Sequence, residues 1–151
     1  MDLGTTASRF PKVAYEAFCD AFIAQTMDIP RAPELYMFDT CFSLLTNPIV
    51  TPSVSFRFWS DIGEVSLVIP PRNFLVVIAN MGIACFTFAP SPASFSIIGN
   101  IQQEQIKISY DTVGRTLGFS PDLLPVGRIL AMFRILASPT TIVSNTRVPL
   151  D

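Results

Sequence analysis

The sequence predicts a mainly β chain built from antiparallel strands, with one clear helix near its N-terminus. Three observations carry this. From residue 54 onward apolar residues recur with a period of two, and turn residues interrupt them at short intervals. Thirteen Pro and thirteen Phe in 151 residues favour short strands and turns over long helices. No strand-helix-strand rhythm appears, which argues against a parallel sheet.

The elements follow in chain order. Pro11 suits the first helical position, and Val13, Ala14, Ala17, Phe18, Ala21 and Phe22 recur at helical spacing, with Lys12, Glu16 and Asp20 on the other face. Cys19 flanks this stripe and reads as a small buried hydrophobe. Residues Met27 to Pro33 read as an irregular, Pro-broken connection. Val54, Phe56 and Phe58 alternate with Ser53, Ser55 and Arg57; after a turn at Asp61-Ile62-Gly63, Val65, Leu67 and Ile69 alternate with Glu64, Ser66 and Val68. Such half-polar alternation marks strands with one solvated face. Further strands are expected at Phe74–Ala79, Ala84–Ala89, Phe95–Gly99, Ile106–Tyr110 and Thr116–Ser120.

Phe74 to Ala89 is almost wholly apolar, yet a membrane-spanning helix needs about 20 such residues. Pro70-Pro71 and Pro90 bracket it and Asn80-Met81-Gly82 reads as a turn, so strand-turn-strand is expected and no membrane span. Past Pro121 the character changes. Val126, Ile129, Leu130, Phe133 and Leu136, with Arg128 and Arg134 opposite, suggest an amphipathic surface helix, followed by a Ser/Thr/Pro-rich end. Membrane or partner binding is the lesser alternative for that basic stripe. The chain thus divides into a folded unit over 1–121 and a divergent tail, partly helical or disordered, over 122–151.

Composition excludes several function classes. Half the residues are apolar and 15% are charged, with a net charge of −2, so the chain has a real core. There is no basic run to meet nucleic acid. There is no His, which removes Ser-His-Asp and Cys-His catalysis and His-based metal sites. No metal or other cofactor is expected. Cys19, Cys41 and Cys85 lack the CxxC spacing of zinc or redox motifs, and their odd number permits one disulfide and one leftover thiol. No signal peptide is read in this chain.

The segment that names a chemistry is Asp2-Leu3-Gly4-Thr5-Thr6. Taken by itself, Asp2 reads as a disordered terminal Asp. An Asp before a tight Gly and two hydroxyls nonetheless resembles the way bilobal aspartic proteases present one of their two catalytic carboxylates. Such a carboxylate needs a second one a few ångströms away to tune its pKa. Ordered segments extend the pattern: Ala14-Tyr15-Glu16-Ala17, Phe38-Asp39-Thr40-Cys41-Phe42, Thr51-Pro52-Ser53-Val54-Ser55-Phe56 and Ile69-Pro70-Pro71-Arg72-Asn73-Phe74. Cys85-Phe86-Thr87-Phe88-Ala89-Pro90, then Ser96-Ile97-Ile98-Gly99-Asn100-Ile101-Gln102-Gln103, Tyr110-Asp111 and Gly118-Phe119-Ser120-Pro121 complete it. This order resembles the C-terminal lobe of plant pepsin-like aspartic proteases of the nepenthesin type, peptidase family A1. It is similar also to the C-terminal domain of the xylanase-inhibitor proteins built on that fold.

The resemblance implies one lobe of the bilobal pepsin-like fold and an aspartic endopeptidase chemistry, of which this chain supplies the second-Asp half. Asp2 matches the catalytic Asp that shares a water and a proton with its counterpart on the N-terminal lobe. Gly4 matches the sharp turn behind it, Thr5 the hydroxyl that bonds the carboxylate, and Thr6 a residue lining the substrate cleft. Ile97, Ile98 and Gly99 match the strand supporting the catalytic loop. Cys41 and Cys85 match the lobe's disulfide, worth roughly 4 kcal/mol in the chain-entropy model, which implies a secreted, extracellular or vacuolar setting.

The partners implied are a peptide or protein substrate and an N-terminal lobe in trans or a second copy of the chain. The sequence departs from the pattern at Leu3, where the family carries Ser or Thr. It departs again in lacking the strand that leads into the Asp, and in ending on an unrelated tail, as a truncated gene product would. A catalytically inactive inhibitor-type binding module and a non-functional gene fragment are therefore the alternative readings.

Overall fold

The computed structural model describes residues 1–44, 50–60, 63–121, 131–133 and 140–149. Strand β1 (Ser8–Pro11) leads directly into helix α1 (Lys12–Ala24), and β2 (Arg31–Ala32) and β3 (Cys41–Ser43) follow. A long hairpin comes next, β4 (Val50–Ser60) and β5 (Gly63–Ile69), then β6 (Leu75–Ile78), β7 (Ile83–Phe86) and β8 (Phe88–Ser91). The short helix α2 (Asn100–Gln103) precedes β9 (Ile106–Asp111), β10 (Thr116–Pro121), β11 (Ala131–Phe133) and β12 (Thr140–Pro149). The sheets run β2-β3-β7-β6, β12-β4-β5 and β11-β10-β9, all antiparallel, with β1 and β8 forming a parallel pair.

The mainly β architecture with one substantial helix is as expected, and so are the period-two strands. In β4, Val54, Phe56 and Phe58 are buried; in the paired β5, Glu64, Ser66 and Val68 face out. Between β6 and β7 the chain turns through Ala79–Met81 and closes on Gly82 at φ 61°, a left-handed conformation that glycine adopts without strain. The apolar stretch from Phe74 is therefore strand, turn and strand. Among the described residues, no helix is long and apolar enough to cross a membrane.

Phenylalanine dominates the core. Phe22 stacks on Phe86 with ring centroids 4.3 Å apart, Phe18 meets Phe88 edge-on at 4.9 Å, and Phe10 stacks on Phe88 at 5.6 Å. Burial of each ring contributes about 1.5–3 kcal/mol, and offset and edge-on pairing adds to that. These rings join α1 to β1, β7 and β8, so the helix is locked against the strand that carries the N-terminal loop. A second, smaller apolar cluster holds Cys41, Ile83 and Cys85. Cys41 and Cys85 face one another across β3 and β7 and form a disulfide spanning 44 residues of chain.

Three expectations are corrected. The buried stripe of α1 is Tyr15, Phe18, Cys19 and Phe22, whereas Val13, Ala14, Ala17 and Ala21 are exposed. Aromatic rings bury far more area than alanine methyls, so the helix rotates to seat the rings and leaves its small apolar residues outside. Phe95–Gly99 is not a strand: only Ile97 bridges, to Arg9, because this segment crosses the N-terminal loop rather than running beside a partner.

The third correction concerns the tail. The part described is β-structure, with Ala131–Phe133 pairing with β10 in place of the expected helix and Thr140–Pro149 pairing with β4 along nearly its whole length. The backbone groups of two otherwise open sheet edges select strand there. Asp61, Ile62, Val126, Arg128, Ile129, Leu130, Arg134 and Leu136 lie outside the described residues.

Ending the chain at Pro121 uncovers the edges of β4 and β10. We expect the thermal midpoint to fall by about 4–8 °C and sedimentation to show concentration-dependent association through the bared strands. A monomer of unchanged midpoint would contradict the pairing.

Candidate functional site

The site forms where two chain segments nearly a hundred residues apart cross. Residues 2–9 lie against residues 97–101, and backbone hydrogen bonds stitch them together. Asp2 N–H donates to the Ile98 carbonyl at 3.0 Å; Arg9 and Ile97 exchange two bonds of 2.8 Å. Asn100 N–H donates to the Thr5 carbonyl at 2.8 Å and Ile101 N–H to that of Thr6 at 3.1 Å. The crossing is possible because residue 99 is glycine. A Cβ there would lie 2.6 Å from the Ala7 carbonyl carbon and 2.7 Å from the Thr6 oxygen. Its φ of −79° suits any residue, so close approach alone demands glycine.

On this brace the carboxylate of Asp2 stands exposed to solvent. Oδ1 accepts the Gly4 N–H at 2.9 Å and Oδ2 accepts the Thr5 hydroxyl at 2.5 Å. The Thr5 hydroxyl, with the Gly4 N–H second, holds the Asp2 carboxyl below its ordinary value, since both donors favour the charged form. The lowered pKa gives a signed stability effect. Asp2 stabilises the fold above its unfolded pKa, and that contribution is lost as pH falls through the folded one. Leu3, 74% exposed, turns its side chain to solvent beside the carboxylate.

Of the residues singled out from sequence, the structure brings together Asp2, Gly4, Thr5, Thr6, Ile97, Ile98 and Gly99. Thr6 is exposed and Ile98 is buried in the main core. Cys41 and Cys85 lie apart, in the smaller cluster.

Sequence reasoning gave no role to Ser8, Gln102 and Gln103, which form a polar knot behind the loop. Gln102 Oε1 accepts from Ser8 N–H at 2.9 Å and from the Ser8 hydroxyl at 2.6 Å, and that hydroxyl accepts the Gly99 N–H at 2.9 Å. Gln102 Nε2 donates to the carbonyls of Asn73 and Thr87 and contacts the Thr87 hydroxyl. Gln103 Nε2 donates to the carbonyls of Ile98 at 2.8 Å and Gly99 at 3.1 Å. The Gln-Gln pair was visible in the sequence only as part of the resemblance. Nothing in its spacing announces two buried amides.

A second concave surface, a cleft of about 500 Å³, lies between α1 and β3 and is lined by Tyr15, Cys19, Arg31, Asp39 and Thr40 among others. The Tyr15 and Thr40 hydroxyls both donate to Asp39 Oδ1, at 2.5 and 2.9 Å. Burial, with the Asp39 carboxylate second, pushes the Tyr15 phenol far up. Burial likewise pushes the Cys19 thiol up, which makes it an inert core residue rather than a nucleophile.

Two substitutions test this geometry. Gly99→Ala should cost about 1–3 kcal/mol or more in urea unfolding, because backbone rather than a movable side chain meets the new methyl. Thr5→Val should raise the Asp2 carboxyl toward its ordinary 3.8 in an NMR titration. An unmoved value would show that Thr5 does not hold the charge.

Comparison with known proteins agrees with the fold. Residues 1–121 match the family described as xylanase inhibitor C-terminal. The chain is 47% identical over 124 residues to Protein Aspartic Protease in Guard Cell 2 of Arabidopsis thaliana, covering 82% of this chain and 26% of that protein. It is 31% identical over 121 residues to aspartic proteinase nepenthesin-1 of Nepenthes gracilis, covering 80% and 27%. The chain thus spans about a quarter of the length of these relatives. A crystal structure of EDGP superposes with a TM-score of 0.60 at 20% identity, over 87% of this chain and 33% of that one, a likeness of fold alone.

Proposed function

The chain belongs to the xylanase inhibitor C-terminal family, as the C-terminal lobe of a plant pepsin-like aspartic protease, and we propose that it supplies the second-Asp half of an aspartic endopeptidase. The observation that carries this reading is the Asp2 carboxylate, exposed yet held by two donors on a loop that is itself braced by the Gly99 crossing. Held this way, Asp2 is fully charged and too weak a base to act alone near neutral pH. A second carboxylate brought within a few ångströms changes that, because both cannot ionise and one retains a proton.

The charged member then takes a proton from water as the water attacks the peptide carbonyl. The protonated member gives its proton to the carbonyl oxygen as the tetrahedral gem-diol forms. On collapse the C–N bond breaks and the leaving nitrogen takes the proton drawn from water, while a diol hydroxyl returns a proton to the other carboxylate as the C=O re-forms. The second carboxylate comes from the Asp of an N-terminal lobe or from Asp2 of a second copy of this chain, and the substrate is a peptide or protein. The Cys41–Cys85 disulfide supports a secreted, extracellular or vacuolar setting.

Joining the chain to the N-terminal lobe of a nepenthesin tests the reading. The joined protein should cleave an unfolded protein at acid pH, and Asp2→Asn should reduce the rate by roughly 10²- to 10⁴-fold. No cleavage, or cleavage indifferent to Asp2→Asn, would contradict it. Leu3 favours a second reading as an inhibitor-type binding module, since it sets an exposed apolar side chain beside the carboxylate. That reading requires the chain alone to bind a xylanase with affinity unchanged by Asp2→Asn, and titration with no binding would remove it.

A further inference from the structure

We propose that Gln103 is a positioning residue for Asp2, setting the catalytic loop through the Ile98 carbonyl; this rests on the reading that Asp2 is a reacting group. The Asp2 carboxylate is fixed relative to its own loop by Gly4 and Thr5, but those bonds are internal to the loop. The shortest tie from residue 2 to the crossing segment is its N–H, which donates to the Ile98 carbonyl at 3.0 Å. Where that oxygen sits therefore decides where the carboxylate sits.

The side chain of Gln103, 7% exposed, folds back beneath this point. An amide NH₂ carries two protons. In Gln103 one is directed to the Ile98 carbonyl at 2.8 Å and the other to the Gly99 carbonyl at 3.1 Å. The Ile98 oxygen thus receives both the Asp2 N–H and a Gln103 N–H, which fills its two lone pairs and fixes its direction. The carbonyl of Asp2 lies 3.5 Å from the same nitrogen, so residue 2 meets Gln103 at its carbonyl directly and at its N–H through the shared Ile98 oxygen.

Gln102, its neighbour, faces the other way. At 1% exposure it binds Ser8, Asn73 and Thr87 and makes no bond to Asp2 or to Ile98. Two adjacent glutamines therefore divide the work: Gln102 holds strands together, and Gln103 aims the loop.

The test uses the 151-residue chain and NMR, comparing the unsubstituted protein with Gln103→Met, which keeps the length and loses the donor, and with Gln102→Met. In Gln103→Met the Asp2 amide should exchange about tenfold faster and the Asp2 carboxyl should titrate closer to its ordinary value. In Gln102→Met the thermal midpoint should fall while both Asp2 readouts stay within a factor of about two of the unsubstituted chain. Gln103→Met that is destabilised with both readouts unmoved would overturn the proposal, as would equal movement in Gln102→Met.

Should either variant fail to fold, the unsubstituted chain decides. The Gln103 side-chain amide protons should exchange slowly and show a nuclear Overhauser contact to the Asp2 amide; exchange at the rate of a free amide would overturn the proposal. None of these readouts uses proteolysis, so a coupling that holds beside a joined protein that does not cleave would sink the functional reading and leave the coupling standing.

Discussion

One backbone crossing governs this molecule: residues 97–101 pass over residues 2–9 so closely that no side chain fits at Gly99. Everything at the site depends on it. The bonds between the two segments place the loop, the loop places the Asp2 carboxylate, and Gly4 and Thr5 set the charge that carboxylate carries. The crossing in turn stands on the aromatic core, because β1 runs from the loop straight into α1, and α1 is pinned by Phe18 and Phe22 against Phe86 and Phe88. Strength in the core is thereby converted into precision at an exposed carboxylate.

That chain of dependence explains why such a site tolerates solvent. An exposed Asp has no cavity to hold it, so its position must come from backbone bonds and from short local donors. Here both are present. In the loop the two donors outweigh the desolvation that would raise the carboxyl, and on the proposed reading a base of the right strength arises when a second carboxylate approaches. On the proposed reading, the division of labour between two lobes is electrostatic as well as geometric.

How far the sequence discloses this differs by element. Period-two alternation in β4 and β5 is local information, and the strands it implies are the strands observed. Helix α1 was legible as a helix but not in its orientation, since Val13 and the alanines match the period as well as Phe18 and Phe22 do. Only packing area decides between them. Ile97 to Gly99 reads as a strand because its residues are apolar, yet its hydrogen bonds go to a crossing segment that no local pattern reveals. The tail pairs with β4 and β10 because those edges are open, a tertiary fact invisible within residues 122–151. Asp2, Gly4, Thr5 and Gly99 were legible through their place in an ordered resemblance. Gln102 and Gln103 lie in the same ordered segment, but nothing there gave them a role, because they carry no chemistry themselves.

The central claim is that the loop presents Asp2 ready to share a proton with a second carboxylate. The most direct measurement is the titration of the Asp2 carboxyl, alone and after the chain is joined to an N-terminal lobe bearing its own Asp. Alone, it should titrate in one step below the ordinary carboxyl value. Joined, the two carboxyls should titrate in two separated steps, the upper one raised above that value. A single step, unchanged by the second lobe, would contradict the account.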